Sequence, residues 1–120
     1  MQNKITKIIP AFLWSGIIFF LCFLPGNKIP KEDWLDKIYF DKIVHAFLYF
    51  VFFFLIIRIS KTSTKSILLR ASTLCIAQGI LIELVQGSSI IKNRSFDIYD
   101  IVANVLGVLI ALIIVFFKTK

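Results

Sequence analysis

The chain has 120 residues and a net charge of +7, and 58% of its residues are hydrophobic, including 13 phenylalanines. A soluble domain of this size rarely exceeds half apolar residues, so the composition excludes that class and indicates one small integral membrane domain over residues 1–120. The Lys and Arg residues lie between apolar runs and at the termini, where they act as topology signals and lipid-headgroup contacts, so the charge does not indicate nucleic-acid binding.

The first apolar segment covers about residues 8–24 and follows a short basic N-terminus. No small-x-small cleavage site follows it, which favours a retained transmembrane helix over a signal peptide. The polar connection that follows, Gly26 to Lys42, has Trp34 and Tyr39 on one helical face and charges on the other. This pattern predicts a short interfacial helix, with an ordinary loop as the alternative.

Three further apolar segments cover about residues 43–59, 67–86 and 98–117. The predicted fold is therefore all-α: a polytopic membrane protein with four transmembrane helices, which pairs every backbone group within the lipid. With the N-terminus inside, eight basic residues lie on the inner side and six on the outer side. This bias predicts the cytoplasmic membrane as the location, with both termini cytoplasmic.

Polar side chains converge at one membrane face if the four helices alternate in direction. They open the second span, close the third and open the fourth, and they are Asp41, His45, Glu83, Gln86, Arg94, Asp100 and Asn104. A charge inside a span costs roughly 2.5–3.5 kcal/mol, so these groups require partners or a function. We predict a polar binding cluster at this face, in which His45 and Glu83 are the candidates for acid–base catalysis.

The fourth span also carries a packing signal. Asp100, Asn104, Gly107 and Ala111 follow a 4-3-4 spacing and form one stripe. Gly107 and Ala111 form a small-x-x-x-small pair, which predicts a close approach by a neighbouring helix.

Each polar group also has a structural interpretation. Asp41 and Asp100 could cap helix N-termini, and His45 could be a buried structural histidine. An Arg94–Glu83–Asp100 network that only holds the helices together is the alternative to a functional site. A metal ion held by Asp41, His45, Glu83 and Asp100 is a further alternative. However, one histidine and two cysteines in apolar runs do not form a zinc site of ordinary spacing, so we expect no metal and no cofactor.

In these residues the sequence resembles the VanZ-like family of small bacterial membrane proteins. The shared motifs are Asp41–Lys42–x–x–His45, Glu83–x–x–Gln86, and Arg94 followed by Asp100, Asn104 and Gly107. Together they cover about residues 41–117. Where the family often has serine, this chain has Asp97, which adds a negative charge near the site.

The resemblance implies a role at the cell envelope and an association with low-level resistance to teicoplanin-type glycopeptides, without implying a reaction. The first hypothesis is an envelope protein whose polar cluster binds a cell-wall precursor, a lipid headgroup or the glycopeptide. The second is a small intramembrane enzyme that acts on a lipid-linked envelope precursor. A small multidrug exporter ranks last, because such a pump requires a carboxylate near the midplane and Glu83 lies near the end of a span. Membrane lipids are the expected partners, and the oligomeric state stays open.

Overall fold

The computed structural model describes residues 4–24, 40–91 and 95–118. In these ranges the chain forms helices joined by turns. The helices are α1 (Lys4–Cys22), α2 (Phe40–Ile57), α3 (Lys65–Gln86) and α4 (Ile98–Lys118). The predicted all-α fold with four helices is confirmed, with bounds within about one turn of those predicted. The expected interfacial helix falls largely on residues 25–39, which lie outside the described residues.

All four helices are long and apolar enough to cross a membrane. Their outward faces carry large apolar side chains that no other part of the described chain covers, such as Phe12, which is 76% exposed, and Leu69 and Phe117, each 69% exposed. In water such a surface would drive aggregation, whereas in a bilayer it contacts lipid. The chain is therefore a multi-pass membrane protein.

The tightest helix contact joins α2 to α4, which have the most extensive interface in the bundle. Gly107 makes this contact possible, because a Cβ atom at this position would lie 2.9 Å from the Ala46 carbonyl carbon and would overlap the Ala46 carbonyl oxygen. Ala111, one turn further along α4, is fully buried. The small residues of α4 thus let two backbones meet, as they do in other membrane helix pairs.

Helix α1 is attached to the bundle through hydrogen bonds. Trp14 Nε1 donates to the Leu48 carbonyl oxygen of α2 at 2.8 Å, and Ser15 Oγ donates to Gln78 Oε1 of α3 at 2.8 Å. In a lipid environment, where apolar contact gives little net driving force between helices, such bonds help to set which helices pack together.

Candidate functional site

His45 lies in the second turn of α2 and is 8% exposed. Its Nδ1 lies 3.1 Å from Asn104 Oδ1 on α4. An amide oxygen can only accept a hydrogen bond, so Nδ1 carries the proton in this pair. The contact fixes the orientation of the imidazole and leaves Nε2 directed towards the beginning of α4.

Asp100 meets the imidazole from the first turn of α4. Its Oδ2 lies 3.5 Å from His45 Nε2, and its Oδ1 accepts a hydrogen bond from Lys42 Nζ at 2.7 Å. The aspartate side chain is only 10% exposed, so these two partners largely define its surroundings. Asp100 thus joins a histidine and a lysine that both come from α2.

Glu83 enters the same region from the last turn of α3 and is fully buried. Its Oε2 accepts a hydrogen bond from the Asp97 backbone N–H at 3.0 Å. Its Oε1 is buried and has no hydrogen-bond partner in the part of the chain that the structure describes. A buried carboxylate oxygen without a partner is costly, so Glu83 Oε1 is a candidate to bind a positive or hydrogen-bond-donating group.

One atom each from His45, Glu83 and Asp100 lies within 4.8 Å of the other two. We call these three residues the buried triad. Each comes from a different helix, because α2 and α4 begin at the membrane face where α3 ends. The structure therefore brings together three of the residues that the sequence singled out, while their binding role stays a prediction.

Lys42 lies beside the buried triad and is bound by three carboxylates. Its Nζ lies 2.7 Å from Asp41, 2.6 Å from Asp97 and 2.7 Å from Asp100. Its hydrogen bond to Asp97 holds the pKa of that carboxyl below its usual range, because the ammonium favours the charged form. Lys42 therefore supplies positive charge at the outer edge of the site.

Asp97 also caps the start of α4. It immediately precedes the helix, and its Oδ1 accepts a hydrogen bond from the Tyr99 backbone N–H at 2.9 Å. That is the bond an N-cap residue makes to the second residue of its helix. Asp97 thus takes the capping role that the sequence suggested for Asp100.

The remaining predicted site residues lie in different places. Asn104 orients His45, and Asp41 is at the exposed edge, where its side chain is 63% exposed. Gln86 is buried, but its amide donates to the Cys22 carbonyl oxygen at 2.6 Å and joins the end of α3 to the end of α1. Arg94 lies outside the described residues, so its predicted network with Glu83 and Asp100 stays a prediction.

From the sequence, Lys42 was interpreted as one of the positive residues that set membrane topology, and it was not assigned to the site. The available signal was its position between Asp41 and His45 in the first turn of a span, at the same depth as the acids of α4. A lysine at that depth among carboxylates is better explained as their counter-ion than as a loop charge.

The opposite end of the bundle is basic. A cavity of about 610 Å³ there is lined by isoleucines and by four cationic side chains, which are Lys4, Lys7, Lys61 and Arg70. The sequence contains no Asp or Glu between Asp41 and Glu83, so the turn from α2 to α3 contributes positive charge only. In the described residues all carboxylates thus lie at one end of the bundle, while the charged side chains at the other end are all cationic.

A family model described as VanZ/LLP1 matches residues 3–119, which is nearly the whole chain. No curated protein and no solved structure is significantly similar to it.

Proposed function

The chain belongs to the VanZ/LLP1 family, and from this premise we propose that it acts at the cell envelope through the polar site formed by the buried triad and Lys42. The site binds a polar group of a cell-wall precursor, a lipid headgroup or a glycopeptide. By doing so it lowers susceptibility to teicoplanin-type antibiotics. The observation that carries the proposal is the fully buried Glu83, whose Oε1 has no hydrogen-bond partner in the described residues.

The charge of the site favours a ligand with a cationic portion. The described part of the site holds four carboxylates, from Asp41, Glu83, Asp97 and Asp100, and only one ammonium, from Lys42. Buried carboxylates are stabilised by nearby positive charge, which an amine or a metal ion can supply. The membrane face on which the helices α2 and α4 begin is thus suited to positively charged groups.

The test is expression of the full chain in a glycopeptide-sensitive strain, with the teicoplanin minimal inhibitory concentration as the readout. Wild type should raise this concentration and Glu83→Gln should abolish the increase. Gly16→Ala should behave as wild type, because a Cβ atom there meets nothing within 4 Å. An unchanged inhibitory concentration with wild-type protein present in the membrane would contradict the proposal.

A second candidate function is supported by the orientation of His45. The imidazole is buried, bound at Nδ1 and close to two carboxylates, an arrangement that also suits a general acid–base catalyst. In this role His45 and Glu83 would act on a lipid-linked envelope precursor. Comparison of envelope lipids and precursors from cells with wild type, His45→Ala and no protein tests it. A precursor whose level changes only with wild type would favour the enzyme.

We further propose that the protein lies in the cytoplasmic membrane with its basic end and both termini in the cytoplasm. The Lys and Arg residues at the turn from α2 to α3 support this orientation, since positive residues concentrate on the cytoplasmic side. Single cysteines at Lys61 and Asn93 distinguish the two orientations in intact cells. An impermeant thiol reagent should label the cysteine at position 93 and not that at 61, and the reverse pattern would overturn the orientation.

A further inference from the structure

The buried triad has the organisation of a metal site rather than of a closed hydrogen-bond network. Each of its three residues uses one polar atom to contact a neighbouring group, and one ligand atom of each lies within 4.8 Å of the other two. His45 Nδ1 contacts Asn104, Glu83 Oε2 accepts from the Asp97 N–H, and Asp100 Oδ1 accepts from Lys42. Protein metal ligands are commonly oriented in this way by hydrogen bonds from outer groups.

The atoms that remain are acceptors. In the neutral imidazole with its proton on Nδ1, His45 Nε2 carries a lone pair, and it lies 3.5 Å from Asp100 Oδ2. Glu83 Oε1 has no hydrogen-bond partner in the described residues although the residue is fully buried. The Glu83 and Asp100 carboxyl groups also lie at hydrogen-bond range of one another, and two such groups repel unless a positive charge or a shared proton lies between them.

The sequence alone predicts no metal, but from this geometry we propose that the buried triad binds one divalent transition-metal ion through His45 Nε2, Glu83 Oε1 and Asp100 Oδ2. One imidazole nitrogen and two carboxylate oxygens are ligands that Zn²⁺ accepts, and three protein ligands leave a coordination position open. One ligand atom from each of the three residues lies within 4.8 Å of the other two, so small side-chain movements bring such atoms to the ~2.0–2.2 Å metal distances. This inference rests on the proposed function for its role at the cell envelope. The open coordination position of the metal would bind the polar group of the envelope ligand.

A second group of carboxylates lies beside the buried triad, but we do not propose it as a metal site. Asp41, Asp97 and Asp100 also lie near one another, but Lys42 Nζ contacts all three and already supplies their positive charge. No described cation does the same for Glu83. The unpartnered oxygen therefore distinguishes the buried triad from the acidic group at its edge.

The experiment uses the full chain, purified without a histidine tag in detergent and stripped of metal by a chelator. Titration with Zn²⁺ alone should give one bound ion per chain and a raised melting temperature. Glu83→Gln keeps the shape of the side chain and should remove this binding. Replacement of the orienting Asn104 by alanine should weaken it by about 10–100-fold.

Two controls separate the site from other sources of zinc affinity. A chain with Cys22→Ala and Cys75→Ala should bind as wild type, since thiols are the other groups that Zn²⁺ prefers. Circular dichroism should show the same helix content in every variant that is compared.

Absence of stoichiometric Zn²⁺ binding, or equal binding by Glu83→Gln, would overturn the metal proposal. The proposed envelope function is measured separately as antibiotic tolerance. Loss of tolerance in Glu83→Gln without any zinc binding by wild type would therefore reject the metal and keep the envelope function. Zinc binding by wild type without any change in antibiotic tolerance would keep the metal site and reject the envelope function.

Discussion

The ammonium nitrogen of Lys42 lies 2.6 Å from a carboxylate oxygen of Asp97, and this contact joins the first turn of α2 to the residue that caps α4. The same nitrogen reaches the nearly buried Asp100 at 2.7 Å. One lysine thus connects the two helices with the most extensive interface. It also places a positive charge beside Asp100, one of the two carboxylates of the buried triad.

Replacement of Lys42 by glutamine should destabilise the protein. Removal of the ammonium leaves Asp100 without its counter-ion, and hydrogen bonds to charged groups contribute about 1.5–3 kcal/mol. We expect a loss in this range, measured by thermal unfolding in detergent. Lys65→Gln is the matched control, because Lys65 is exposed at the start of α3 and forms no ion pair in the described structure. Equal melting temperatures for the two variants would contradict the assigned role of Lys42.

Acid should weaken the contact between Lys42 and Asp97. The pKa of Asp97 is lowered in the folded state by its hydrogen bond to Lys42, so the folded state favours the charged form. The stabilisation is present above the unfolded pKa of ~3.9 and is lost as the pH falls through the lowered folded value. Melting temperatures between pH 7 and pH 2.5 should therefore fall less steeply for Asp97→Asn than for wild type.

Asparagine is a suitable replacement in this measurement because it is also a good N-cap residue, so the start of α4 is preserved. The difference between the two curves isolates Asp97 from the other carboxylates. Parallel curves over the whole pH range would show that the Lys42 contact does not contribute.

Gly107→Ala should disrupt the packing of α2 against α4. The added Cβ atom would overlap the Ala46 carbonyl oxygen, which is backbone and cannot move aside as a flexible side chain can. Overpacking of this kind costs about 1–3 kcal/mol. Gly16→Ala provides a matched control for the same substitution, since it adds a methyl group in open space on α1. A melting temperature that is as high for Gly107→Ala as for Gly16→Ala would show that the two backbones are not in close contact.

The basic cavity at the opposite end should bind anionic lipid headgroups. Lys61→Gln combined with Arg70→Gln should weaken phosphatidylglycerol binding by about 2 kcal/mol, from about 1 kcal/mol for each cation near the membrane surface. Native mass spectrometry of lipid adducts measures the change, with phosphatidylcholine as the neutral comparison. The exchange Lys61→Arg with Arg70→Lys keeps both charges and should retain binding. If the glutamine pair binds phosphatidylglycerol as wild type does, the cavity is not a headgroup site.

The four helices were predictable because the lengths of the apolar runs determine how many times the chain can cross a bilayer. The common depth of His45, Glu83 and Asp100 followed from the alternation of helix direction. The counter-ion role of Lys42 did not follow from the sequence. It depends on the rotation of α2 relative to α4, which the contact between Ala46 and Gly107 sets.

Gln86 is a second residue whose partner did not follow from the sequence. A spacing of three residues places Gln86 and Glu83 on neighbouring parts of one helix face, but not in the same direction. The position of α1 decides which of the two side chains enters the site, and Gln86 turns to the Cys22 carbonyl oxygen. Side-chain spacing therefore predicted the depth of these groups but not their partners.

The contact between Gly107 and Ala46 also determines how a ligand reaches the buried triad. Ala46 directly follows His45, and Gly107 lies two turns deeper along α4 than Asp100. Because the two backbones touch at that level, no passage between α2 and α4 leads to the triad from the middle of the bilayer. The triad lies on the headgroup side of this contact, so a group that arrives from the membrane–water boundary reaches it without separating α2 from α4.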